Sequence, residues 1–203
     1  MMDDSLPATE VGHEHRTVAA GEDLDVTGFL DEAALVVAQR GPGAGTFAAL
    51  GRLMRRLEPG AGAPAREKLT GLHRSGAAST ILGEGRDGSV LMLARFPSDP
   101  PTPVHNHNSW GVVCVIEGRD RYVAWRRLDD GSDPHRAHVE VLDERELGPG
   151  DVVWFEPPPQ DIHSQQGIGG DVWELVYFGR NPMLEPRAYF DPASGAVTYA
   201  SAT

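Results

Sequence analysis

Three histidines stand where side chains could converge on one ion: His105 and His107 in "TPVHNHNSWGVVCVIEG" and His163 in "GPGDVVWFEPPPQDIHSQQ". In an extended chain successive side chains alternate, so His105 and His107 project from one face a few ångströms apart, and two neutral imidazoles at that separation can grip a divalent ion. "GPGD" reads as a tight turn into the strand "VVWFE", and "PPPQD" leads to a new extended piece at Ile162 and His163. Folding that hairpin back on the first pair supplies a third imidazole to the same ion. An isolated H-x-H pair is equally compatible with a surface or core role, and the second segment is what favours the metal reading. His13 and His15 form another H-x-H pair with no strand after them and read as solvated tail; His135 and His138 fall in the charged loop "LDDGSDPHRAH". His73, in "GLHRSG", carries no clear signal.

The elements that must position the three histidines follow from periodicity. Residues 1–20 are polar and read as a disordered arm, followed by a single domain over 21–203. From about residue 23, Leu30, Ala33, Ala34 and Val37 recur at helical spacing up to "RGPG". A second helix is predicted over "TFAALGRLMRRLEP", with Phe47, Leu50, Leu53 and Leu57 on one side and Pro59 and Gly60 as its stop. These two helices form a cap over residues 23–60. Over about residues 77–200 the period changes to short runs rich in Val, Trp and Tyr: "SVLMLARF", "WGVVCVIEG", "RYVAWRRL", "HVEVLDE", "DVVWFE", "DVWELVYFG" and "AVTYA". They imply an antiparallel β sandwich or small barrel behind the helical cap.

Composition narrows the functional classes. The 203 residues carry 30 acidic and 18 basic side chains, a formal charge of -12, and the arginines are scattered rather than gathered in a stripe. Nucleic acid and anionic membrane are therefore not expected partners. Cys114 is the only cysteine, so no internal disulfide forms. No signal-like segment or long apolar run occurs, and a cytoplasmic protein, monomeric or homodimeric, is expected. There is no G-x-G-x-x-G, Walker loop or G-x-S-x-G elbow.

"PTPVHNH" with its later "EG", and "GPGDVVWFEPPPQDIH", resemble the two motifs of the cupin superfamily. The resemblance implies a double-stranded β-helix, a jelly-roll-like barrel, preceded here by the two helices. Many cupins carry a glutamate ligand seven residues before the closing glycine; counting back from Gly118 gives Gly111. The missing glutamate resembles the cysteine dioxygenase-like thiol dioxygenases, whose metal is held by three histidines. That branch implies Fe(II), with O2 as co-substrate, held by His105, His107 and His163, and conversion of a small thiol to a sulfinate. Three neutral imidazoles leave the ion its full charge, which a thiolate would balance.

The resemblance covers roughly residues 24–200 and departs at the substrate. Where cysteine dioxygenases carry a carboxylate-clamping arginine, the spacing gives Ser79, and of their late-strand Ser, His and Tyr only Tyr177 remains in "DVWELVYFG". Tyr177 is expected to point inward as the catalytic side chain, with Gly111, Gln165, Trp173 and Arg180 around the substrate; Arg74 is a second candidate clamp. These departures point to a small thiol other than cysteine, or to oxidation beyond a sulfinate. Cys114, an odd number of residues from His107, is expected on the opposite face as an inert core thiol without a crosslink to Tyr177. The competing readings are a metalloenzyme of another class, an isomerase, lyase or carbon-directed dioxygenase using Mn, Ni or Zn, and a non-catalytic small-molecule-binding cupin.

Overall fold

The computed structural model describes residues 13–14, 23–57, 67 and 77–201; His15, His73, Arg74 and most of the N-terminal arm lie outside them. Helix α1 spans Val26–Arg40 and α2 Ala44–Met54. Asp25 caps α1, its Oδ1 accepting the Gly28 N–H at 2.7 Å, and Gly41 ends it at φ 70°, a left-handed turn that suits glycine. α2 lies directly on the sheet behind it. A Cβ at Gly51 would come within 2.6 Å of Val152 Cγ1, so only glycine permits that approach.

α2 is shorter than predicted. It stops at Met54, and Leu57 instead forms a parallel bridge with Leu24, whose N–H donates to Arg56 O at 2.7 Å. Leu57 still packs into the same apolar cluster, which explains why its spacing looks helical.

The strands are β1 (His13–Glu14), β2 (Ala78–Glu84), β3 (Val90–Phe96), β4 (Val104–His105), β5 (Gly111–Glu117), β6 (Asp120–Arg127), β7 (Val139–Leu147), β8 (Val152–Phe155), β9 (His163–Gly167), β10 (Val172–Phe178), β11 (Arg187–Phe190) and β12 (Val197–Ala200). One six-stranded sheet has the order β1-β8-β5-β10-β3-β2, the other β12-β11-β4-β9-β6-β7. From β3 onward the chain crosses repeatedly between the two, which is the double-stranded β-helix expected from the sequence. The seven predicted runs are β3, β5, β6, β7, β8, β10 and β12. Within the arm, His13 and Glu14 pair with Val153 and Val152 at the edge of the first sheet, so at these two residues the backbone adds to a strand rather than standing free.

The apolar residues fall into separate layers. Phe29, Phe47 and Leu50 of the helices pack with Leu91, Cys114, Leu175 and Tyr177 on the helix-covered face of the first sheet. Val90, Met92, Val113, Tyr122, Phe155, Val176 and Phe178 fill the space between the sheets. Among the described residues, no helix is long and apolar enough to cross a membrane.

Candidate metal centre

His105 closes β4 and His163 opens β9, directly opposite each other in the antiparallel register. His107 lies two residues beyond β4, where the chain is no longer paired as strand, yet its ring still returns to the pair. One ring nitrogen from each of the three lies within 4.8 Å of the other two, with 3.1 Å between the Nε2 atoms of His105 and His107. All three side chains are buried. Burial, the largest cause, lowers the pKa of His105 to about 4 and holds His107 and His163 well below the usual imidazole value; the Arg187 guanidinium adds to this at each ring. The cluster is therefore three neutral imidazoles at neutral pH.

Their tautomers follow from the main chain. His105 Nδ1 lies 2.9 Å from Pro103 O and His163 Nδ1 3.2 Å from Asp161 O, so each Nδ1–H donates to a carbonyl and leaves an Nε2 lone pair turned toward the cluster. Lone pairs converging in a buried site repel unless a cation lies between them, so this donor set fits a divalent metal ion.

Neighbouring groups hold the rings in place. Asp161, fully buried, accepts the His107 N–H on Oδ2 at 3.0 Å, and its carboxylate faces the N–H groups of Asn108 and Ser109. It thereby fixes the tight turn at Asn108, whose φ is 56°. Phe155 and Phe178 pack on His107 at ring separations of 5.7 and 4.8 Å, Tyr122 stacks on His163 at 5.4 Å and Tyr189 on His105 at 6.0 Å.

Gly111 faces Phe155 in the strand register, and a Cβ there would lie 2.3 Å from Phe155 Cζ. The phenyl ring occupies the volume that any side chain at this position would need. The protein thus offers no carboxylate at the place where a fourth ligand is expected in many cupins.

The cluster opens into a cavity of about 150 Å³ whose polar lining includes the three histidines, Gln165, Arg187 and Tyr189. Gln165 is where its spacing from His163 predicts, and Ser79 also lines the cavity. Four expected pocket residues are not there: Gly111 is covered by Phe155, and Trp173, Tyr177 and Arg180 lie elsewhere. Trp173 and Tyr177 belong to the helix-facing layer, Tyr177 with its ring edge-on to Phe29 at 5.2 Å, while Glu174, Val176 and Phe178 face the space between the sheets. β10 alternates with period two as its sequence predicts, but the set facing the cavity is the opposite one, because both faces of β10 are buried and nothing in the strand marks which faces the site. Arg180 lies at the surface, paired with Glu185. Cys114 is buried in the helix-facing layer, opposite the histidines, and burial pushes its thiol up to about 12, an unreactive state. His135 and His138 are exposed.

The cavity's cation is Arg187, which sequence reasoning missed. It is half-buried, its Nε meets no hydrogen-bond partner, and among the described residues no carboxylate pairs with it. The signal was the alternation in "EPRAYF", which sends Arg187 and Tyr189 to one face and Ala188 and Phe190 to the other. Asp161 and the buried carboxyls of Asp120 and Glu174 were missed as well, being single acids inside or beside otherwise unremarkable runs.

No family model matches the chain. Among solved structures, it is similar to an oxalate oxidase in complex with the substrate analogue glycolate, with 20% identity, 53% of each chain covered and a TM-score of 0.41. It is also similar to a cupin 2 domain-containing protein from Halorhodospira halophila, with 20% identity, 51% of this chain and 64% of that one covered and a TM-score of 0.36. A cupin superfamily protein from Desulfitobacterium hafniense matches at 15% identity over 54% of this chain and 85% of its own, with a TM-score of 0.36. The match thus spans about half the length of the oxalate oxidase.

Proposed function

We propose that the protein is a metal-dependent oxygenase of a small thiol, with Fe(II) held by His105, His107 and His163 and O2 as co-substrate. The observation that carries this reading is the combination of a neutral three-imidazole cluster with Phe155 seated against Gly111, which leaves no protein anion on the ion. A ferrous ion there would supply open coordination positions for a thiolate and for dioxygen, lowering the thiol pKa and bringing the two reactants together.

The chain's own residues do the rest. The carbonyls of Pro103 and Asp161 keep protons on Nδ1 of His105 and His163, and Asp161 fixes the turn that carries His107. Phe155 and Phe178 keep water from one side of the cluster. Arg187 gives an anionic substituent of the substrate a cationic partner in the cavity wall, and Tyr189, beside His105, lies next to that guanidinium. The overall reaction adds both atoms of one dioxygen to the sulfur of one thiol, giving a sulfinate.

The test is oxygen uptake by protein loaded anaerobically with Fe(II), screened against cysteine, cysteamine, 3-mercaptopropionate and related thiols. One dioxygen consumed per sulfinate formed is expected, with Arg187→Met raising KM for carboxylate-bearing thiols by about tenfold or more, the worth of one charge-assisted hydrogen bond. Iron-loaded protein that consumes no oxygen with any thiol of the panel overturns the reading.

A further inference from the structure

Between the sheets, away from the helices, lies a group of polar side chains with no part in holding the histidines. Asp120, at the start of β6, and Glu174, in the middle of β10, are both 0% exposed. Two carboxyls in such a place cannot both ionise, because burial and mutual repulsion oppose the second charge. Burial pushes Asp120 up to about 7 and Glu174 well above the usual carboxylate range. A single side-chain amide joins them: Gln165 Nε2 donates to Glu174 Oε2 at 2.6 Å and to Asp120 Oδ2 at 3.2 Å.

That arrangement dictates which way the amide faces. Both N–H groups of Nε2 are committed to carboxyl oxygens, and with one of the pair ionised the reverse orientation would press the amide oxygen against an anion. The main chain of Gln165 is held too, its N–H donating to Thr102 Oγ1 at 2.8 Å and its carbonyl accepting the Thr102 N–H at 2.9 Å. Gln165 lines the cavity, so Oε1 is the end of the amide left for a ligand.

We propose that Gln165 Oε1 is a fixed hydrogen-bond acceptor in the cavity wall, oriented by Asp120 and Glu174, and that it selects small ligands bearing an ammonium or hydroxyl donor. This deepens the reading of the cavity as a thiol site and rests on it, giving the substrate class as small amino- or hydroxythiols. Above about pH 7 the pair holds one negative charge behind the amide, which favours a cationic donor over a neutral one. A cavity of about 150 Å³ suits a small ligand, roughly the size of benzene or about half a dozen heavy atoms.

The experiment is anaerobic calorimetric titration of the Fe(II)-loaded protein with cysteamine and with ethanethiol, which lacks the amine. It is run on the wild type, Gln165→Met and Glu174→Gln, with iron content and circular dichroism melts checking that each variant is folded and loaded. The wild type is expected to bind cysteamine about tenfold or more tightly than ethanethiol, and Gln165→Met to bring that ratio close to one with ethanethiol affinity unchanged. Glu174→Gln, which frees the amide to turn, is expected to reduce the ratio, and it decides the matter should Gln165→Met not fold. A ratio that persists in the folded variants, as chelation of the metal by the amine would produce, overturns the proposal, and so does a wild-type ratio of one. If neither thiol binds the wild type, the thiol reading fails, and 2-aminoethanol against ethanol then tests the acceptor by itself with the same outcomes.

Discussion

The two faces of β10 differ in kind although every one of its residues is buried. One face carries Trp173, Leu175 and Tyr177 into an apolar layer with Phe29, Phe47 and Leu50 of the helices. The other carries Glu174, Val176 and Phe178 toward the histidine cluster and the buried acid pair. Burial is the same on both sides, so it does not tell where chemistry lies; the polar groups and their partners do. The helix-facing layer supplies stability, and the inter-sheet space supplies the site.

The separation can be broken from either side. Phe47→Ala, deep in the helix-facing layer, should cost about 3–5 kcal/mol of folding stability while leaving the metal affinity of the folded protein unchanged. Urea unfolding and a competitive metal titration read the two quantities separately, and a parallel fall in metal affinity would show the layers to be coupled. On the other side, Asp161→Ala frees the His107 turn and should weaken metal binding by about 10–100-fold, measured by the same titration.

A smaller effect concerns pH. In the unfolded chain Asp120 ionises near its ordinary value of about 4, whereas the folded protein holds it protonated to about 7. Folding therefore retains a proton between those values, and this group's contribution to stability falls as pH rises from about 4 to about 7, then levels off. The buried histidines act in the opposite sense below their unfolded value of about 6.5, and they are common to wild type and variant. The gain in unfolding free energy on going from about pH 5 to about pH 7.5 should thus be greater in Asp120→Asn than in wild type, as urea melts at the two pH values would reveal. The smallest effect is expected for Tyr177→Phe: stability changed by no more than about 1 kcal/mol and thiol binding not at all. A selective loss of thiol binding there would return Tyr177 to the site.

Much of this was legible in the sequence. The three histidines converge as their spacing and the "GPGD" hairpin indicate, and Gly111 is the position where a side chain cannot fit. Gln165 shares the face of His163 because β9 is regular across both. What failed was the parity of β10, since helices on one side and a second sheet on the other erase the apolar-polar alternation that assigns a face. Short strands were equally hard to see. β4 and β11 owe their place to the partner strand rather than to their own residues, and so Arg187 and Tyr189, set beside His105 by the β4–β11 register, carried no signal of a cavity. Asp120 and Glu174 were invisible for another reason: a lone acid in a strand reads as solvent-facing unless its partner, 54 residues away in Glu174, is known to lie across from it.

The central claim is that three neutral imidazoles leave a divalent ion ready for an anionic sulfur. Cobalt(II) offers the most direct measurement, because a thiolate bound to it gives a charge-transfer absorption that neither histidine nor a free thiol produces. Anaerobic addition of 3-mercaptopropionate to the Co(II)-loaded protein should give that band at one thiol per chain, and His107→Ala should abolish it. Protein that holds cobalt tightly through these histidines and yet shows no thiolate band with any small thiol would contradict the account.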